Sequence, residues 1–212
     1  MRTRTGIHRH LLVMSAGLVV LTGDAFAEDS ARDASAATPE TDAPRTGEVD
    51  SFVDEMDNAE HGWYVSWQKT GSSANEDKYS GSNNDWIDAS DLHFHAGHGG
   101  KRHDSGYGEK KYAIIFENSA MVPSEAQSSN GGIWGNTDLE WIGFMPCSLL
   151  SNYNDTYKAW AASMDGLHLY LGFKTTSYSN SNGTFARTFR RSQSTFPVAA
   201  TRPSASPETS CT

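Results

Sequence analysis

The chain has 212 residues, with 26 acidic and 17 basic side chains, a formal charge of −9 and 37% hydrophobic residues. That balance leaves no concentrated basic face and argues against nucleic acid as a partner. The length suits a single core, and the two cysteines, Cys147 and Cys211, allow at most one disulfide.

The first ten residues, MRTRTGIHRH, carry three arginines and no acid; LLVMSAGLVVLT follows, and Ala25 and Ala27 then form an A-x-A pattern. This order predicts a secretory signal peptide over residues 1–27, because the apolar run falls short of the roughly twenty residues that cross a bilayer. The mature protein is therefore expected to be exported (secreted, periplasmic or at the cell surface), with no membrane contact once the signal is removed. Its charge would then be 14 basic against 25 acidic residues, or −11.

Residues 28–48 hold almost no large apolar side chain, and 28–60 carry eleven acids against Arg32 and Arg45. They read as a disordered acidic spacer. From Val49 the chain changes character. Val49, Phe52, Val53 and Met56 have helical spacing, and GWYVSWQKT (62–70) has the aromatic and β-branched content of a strand. After a polar loop comes LHFHA (92–96), a short strand ending at Gly97, then KYAIIF (111–116), an apolar run too short for a helix. LEWIGFM (139–145) is again strand-like and ends at Pro146-Cys147. DTYKAWAASMDG (155–166) reads as a helix stopped by glycine, LHLYLGF (167–173) as a buried strand, and FARTFRR (185–191) as a last helix. Residues 196–212 read as a disordered tail. The whole predicts one α/β domain over 49–195, with a mostly parallel sheet flanked by helices.

Two segments carry chemistry, and both follow strands, where open α/β sheets gather functional residues. His98 falls on a turn between Gly97, Gly99 and Gly100, a seat for a general base. Cys147 follows an apolar strand, with Pro146 enforcing an extended or turn geometry before it, a seat for a nucleophile. The attacking species is the thiolate, and a nearby imidazole lowers the thiol pKa and later protonates the leaving group. Backbone N–H groups of Gly99 and Gly100 would hold the oxyanion. Asp91, Asp138 or Glu140 would orient His98, and the sequence does not choose among them.

The set HAGHGG, LEWIGFMPCS, a helix with Trp160, and DGLHLYLGFKTT resembles a family of bacterial and archaeal exported domains distantly similar to the caspase–gingipain–legumain clan. The resemblance covers about residues 49–190, and Gly166 to Phe173 is its most specific block. It implies a caspase-like fold, a His-Gly after one strand matching His98-Gly99, and a cysteine after the next matching Cys147. The expected activity is that of a cysteine peptidase or related acyl-transfer hydrolase acting on a peptide or protein, without a cofactor.

Two alternatives remain from the residues themselves. One is a secreted binding or structural domain that keeps the fold without catalysis. The other is a metal site: His93 and His95 share a strand face, and His98 could complete three nitrogens. That spacing resembles metallo-β-lactamase-like hydrolases, although Gly97 stands where their motif has aspartate. Without a metal, His93 and His95 are expected on a solvent-facing or partly covered face, with Leu92 and Phe94 toward the core.

Overall fold

The computed structural model describes residues 32–57, 62–179 and 186, and the backbone of two short strands, β1 (Leu12–Val13) and β2 (Leu18–Val20). Next comes a strand that composition conceals. β3 (Arg32–Thr38) has the sequence RDASAAT, and Ala34 through Thr38 are buried. The spacer expected over 28–48 is, from Arg32 onward, core strand and helix. The reason is steric: β3 is covered on both faces, and small side chains leave room for large ones from its neighbours.

The helix α1 (Ala43–Met56) starts six residues before Val49. Asp42 caps it, its Oδ1 accepting the Arg45 N–H at 3.1 Å, and Pro44 occupies the first turn. α1 buries Val49, Phe52 and Met56 against the sheet, and Phe52 stacks on Phe94 at 4.9 Å. β4 (Trp63–Thr70) runs parallel to β3, and several 3-10 turns then lead to β5 (Leu92–His95).

The predicted strand at 111–116 forms, but not in the main sheet. β6 (His98–Asp104), β7 (Glu109–Ile115) and β8 (Ala120–Met121) make an antiparallel three-stranded sheet of their own, and β9 (Gln127–Ser128) pairs with β10 (Gly131–Gly132). β11 (Trp141–Phe144), α2 (Thr156–Ala161) and β12 (Leu169–Leu171) complete the described chain.

The main sheet has the order β1-β2-β12-β11-β5-β3-β4. The five strands from β12 to β4 are parallel, and β2 is antiparallel on β12. Numbered along the chain, the parallel strands follow the order 2-1-3-4-5, so the winding reverses between β3 and β5. Ligands in such sheets bind outside the carboxyl ends near that reversal.

α1 covers one face. The other carries Tyr79, Phe116, Trp134, Phe144, Trp160 and Tyr170 under turns, α2 and the small sheet, so its cover is mostly not helical. Trp134 and Trp160 are fully buried and stack at 5.4 Å at the centre of this core. Among the described residues no helix is long and apolar enough to cross a membrane. The predicted cleavage site, the helix at 185–191 apart from Ala186, and the tail lie outside the described residues.

Candidate functional site

β5 and β11 are parallel neighbours, paired from Trp141↔Leu92 to Phe144↔His95, so the segments that follow them emerge side by side. The Met145 N–H donates to the His95 carbonyl at 2.9 Å and ties the two exits together. A cavity of about 230 Å³ opens there, lined by Arg45, Ala96, Gly97, His98, Cys147 and Ser177 among others. It lies at the carboxyl edge of the sheet, and His98 and Cys147 both face it. Its volume suits one side chain and falls below the roughly 300–1,000 Å³ of drug-sized sites.

Gly99 shows why the two exits can approach. A Cβ at that position would come within 2.1 Å of the Cys147 carbonyl oxygen and 2.7 Å of its nitrogen, and neither backbone atom can step aside. Ser148, the residue after Cys147, has φ 62°, one of three positive values among described non-glycine residues. Such left-handed backbone at a non-glycine is strained, and it turns the chain sharply behind the thiol.

Cys147 is a half-buried free thiol. The Ser177 N–H donates to its Sγ at 3.3 Å, and the thiol reaches the Ser177 carbonyl at 3.7 Å and its hydroxyl at 3.5 Å. The hydroxyl in turn donates to the Met145 carbonyl. Cys211 lies outside the described residues, so no pairing with it is described.

The His98 side chain is 50% exposed, with Nε2 3.8 Å from Glu40 Oε1. Arg45 Nη2 donates to its Nδ1 at 3.2 Å. A guanidinium cannot accept, so Nδ1 is the accepting nitrogen, and the proton of the neutral ring sits on Nε2, toward Glu40. Arg45 is itself paired with Asp42.

The three acids expected to orient His98 do not reach it. Asp91 precedes β5 and Glu140 precedes β11, so they stand at the amino end of the strands, a four-residue strand or about 13 Å from His98's end. Asp138 belongs to the same end, where it contributes to the field at Asp91. There Asp91 Oδ2 accepts the Asp33 N–H at 2.8 Å and Asp33 Oδ1 accepts the Asp91 N–H at 3.0 Å. Burial pushes the Asp91 carboxyl up to about 7 against the pull of the Asp33 amide, and the charges of Asp138, Asp33 and Glu140 add to the rise. The carboxylate beside His98 is Glu40, in the turn after β3.

His93 and His95 are fully buried instead of lining a partly covered face. They sit in a polar chain inside the core. Ser35 Oγ lies 2.9 Å from His93 Nδ1, and the Tyr79 hydroxyl bridges His93 Nε2 at 2.9 Å and His95 Nδ1 at 2.7 Å. The point a metal would take between these imidazoles is held by the phenol, and His98 faces the cavity at the sheet edge. Among the described residues no three His, Cys, Asp or Glu side chains converge as metal ligands. Burial lowers both imidazole pKa values, that of His95 to about 3, so both rings are neutral at ordinary pH.

Sequence reasoning missed Glu40, Arg45 and Ser177. Asp42 followed by Pro44 is a helix-start signal, and it would have set Arg45 in a first turn rather than in a spacer. Nothing local marks Ser177.

A family model described as a domain of unknown function, DUF6345, matches residues 32–199. No curated protein and no solved structure matches the chain.

Proposed function

From the premise that this chain belongs to the DUF6345 family of domains of unknown function, we propose that it is an exported cysteine peptidase or related acyl-transfer hydrolase using His98 and Cys147. The observation that carries this reading is the shared cavity: an imidazole and a free thiol, forty-nine residues apart in sequence, line one opening at the carboxyl edge of adjacent parallel strands. The 2-1-3-4-5 strand order supports a caspase-like arrangement of the sheet. The strained turn at Ser148 and the Ser177 N–H aimed at Sγ both support a sulfur held in place and presented to the cavity.

In the proposed reaction Cys147 Sγ attacks a substrate carbonyl carbon while His98 takes the thiol proton. Gly99 and Gly100 lie in β6, where successive N–H groups point to opposite sides, so the one of the two that is turned away from β7 would hold the oxyanion, and His98 then protonates the departing amine as the C–N bond breaks. Water attacks the thioester, gives its proton to His98, and the acid leaves as that proton returns to Sγ. Glu40 orients the imidazole and stabilises its charged form.

A second reading, a binding domain without catalysis, is favoured by one observation. The hydrogen bonds of Cys147 Sγ go to Ser177, and Arg45 engages the accepting nitrogen of His98. Catalysis therefore requires His98 to exchange Arg45 for the thiol.

The deciding experiment is the pH dependence of alkylation at Cys147, read peptide by peptide with Cys211 as internal control. The peptidase reading expects fast labelling well below the free-thiol value of about 8.5, lost in His98→Ala. Labelling no faster than Cys211 selects the binding domain.

A further inference from the structure

The strand that begins at the site has an open edge. β6 starts at His98 and pairs with β7 from His98↔Ile115 to Asp104↔Glu109; among the described residues no strand pairs with its other side. The strand begins in contact with the nucleophile's segment, because one face of Gly99 lies directly against the Cys147 backbone. An open edge presents unpaired N–H and C=O groups to an extended chain.

The exposed charged side chains along it have one sign. Lys101, Arg102 and His103 are exposed, and Arg45 adds a guanidinium to the cavity wall. The carboxylates nearby are engaged elsewhere: Glu40 faces His98, Asp42 holds Arg45, Glu109 pairs with Lys111, and the buried Asp104 accepts the amides of Gly106 and Ser124. Lys101 Nζ rests 3.9 Å from the Tyr153 ring centre and Arg102 Nη1 donates to the Lys101 carbonyl; among the described residues neither is paired with a carboxylate.

We propose that the open edge of β6 binds an extended acidic peptide segment by strand addition and delivers one of its carbonyls to Cys147; this rests on the acyl-transfer reading of the site. Alternate residues of a strand share a face, so Arg102 stands on the same side as His98, four positions away. An acidic side chain about four residues from the reacting carbonyl would therefore meet Arg102, at a separation of roughly 13 Å.

The test is fluorescence anisotropy on the full chain carrying Cys147→Ala, with a labelled peptide of about eight residues alternating aspartate and valine. One comparator replaces aspartate with asparagine, and another is the acidic peptide with alternate backbone amides methylated. The acidic peptide should bind at least about tenfold tighter than the asparagine peptide and weaken with salt. Methylating the amides that face the edge, or introducing Arg102→Glu, should each weaken it about tenfold, since one removes ladder donors and the other reverses a charge. Equal binding of methylated and unmethylated peptides would reduce the effect to surface charge and overturn strand addition. Failure to distinguish acidic from neutral peptides would leave Lys101 and Arg102 as guards of a solvent-exposed edge and overturn the proposal too. The outcome is separable from the fate of the thiol. Acidic peptide bound beside an unactivated Cys147 removes the acyl-transfer reading alone, and an activated Cys147 that ignores these peptides removes the acidic-peptide assignment alone.

Discussion

Three histidines within six residues meet opposite fates. His93 and His95 are sealed in the core, joined through the Tyr79 hydroxyl and kept neutral by burial, whereas His98 stands half in solvent between Glu40 and Arg45. Identical chemistry becomes a fixed internal strut in one place and a half-exposed ring at the cavity in the other. The difference comes from where β5 ends. Residues inside the strand are covered on both faces, and once the chain turns at Gly97 the next imidazole is released to the cavity. The buried group should therefore govern stability and the exposed one reactivity.

Tyr79→Phe is the strongest way to break that division. The substitution keeps the ring but leaves His93 Nε2 and His95 Nδ1 without their shared partner, and His95 Nε2 is already unpaired. An unsatisfied buried polar group costs about 1–3 kcal/mol, so two predict a loss of about 2–6 kcal/mol. Urea unfolding should show a lower midpoint with an unchanged slope. A loss under about 0.5 kcal/mol would mean the relay carries no structural load.

Acid sharpens the comparison at smaller amplitude. His93 and His95 have folded pKa values depressed below 6.5, so as pH falls below 6.5 the unfolded chain takes up protons that the folded chain refuses. Stability is lost down to about pH 3, where folded His95 also protonates, at up to about 1.4 kcal/mol per pH unit for each ring. Asp91 and Asp88 work in the opposite sense. Burial raises them from 3.8 to about 7 and about 6, so the folded chain keeps protons that the unfolded chain has released, and their cost is relieved as pH falls. The two effects oppose each other between about pH 6 and pH 4. Asp91→Asn removes one opposing group and should make stability fall more steeply from pH 6.5 to 5 than in the parent chain. Parallel denaturation curves for the two proteins would show that Asp91 does not titrate in this window.

How much of this could be read from residues alone differed from strand to strand. β4, β5, β11 and β12 announce themselves by short apolar or alternating runs, and Gly97 and Pro146 mark where two of them stop, which located His98 and Cys147. β3 did not, because its alanines and serine contribute little apolar area of their own and act by leaving space for Phe52 and Phe94 on one side and Tyr79 on the other. The burial of His93 and His95 was equally hidden. Alternation along LHFH describes a strand with one wet face as well as one covered on both, and only the fold supplies Tyr79 and Ser35. Glu40 and Ser177 reach the site through parallel strands adjacent in space and distant in sequence. Sequence proximity likewise misled about Asp91, which lies near His98 along the chain but at the other end of β5.

The smallest predicted effect is the most discriminating. In His98→Ala the folded state loses one hydrogen bond from Arg45 and a 3.8 Å approach to Glu40. Arg45 keeps Asp42. The side chain is half exposed, water can replace it around Glu40, and exposed ion pairs contribute little in any case. The expected change in stability is therefore within about 0.5 kcal/mol, a shift of roughly 1–2 °C in Tm for a domain of this size. Measured beside Tyr79→Phe, a loss of 2 kcal/mol or more would place His98 among the structural histidines and erase the contrast. A near-neutral result obliges the cavity's histidine to be explained by what enters the cavity, because the fold does not need it.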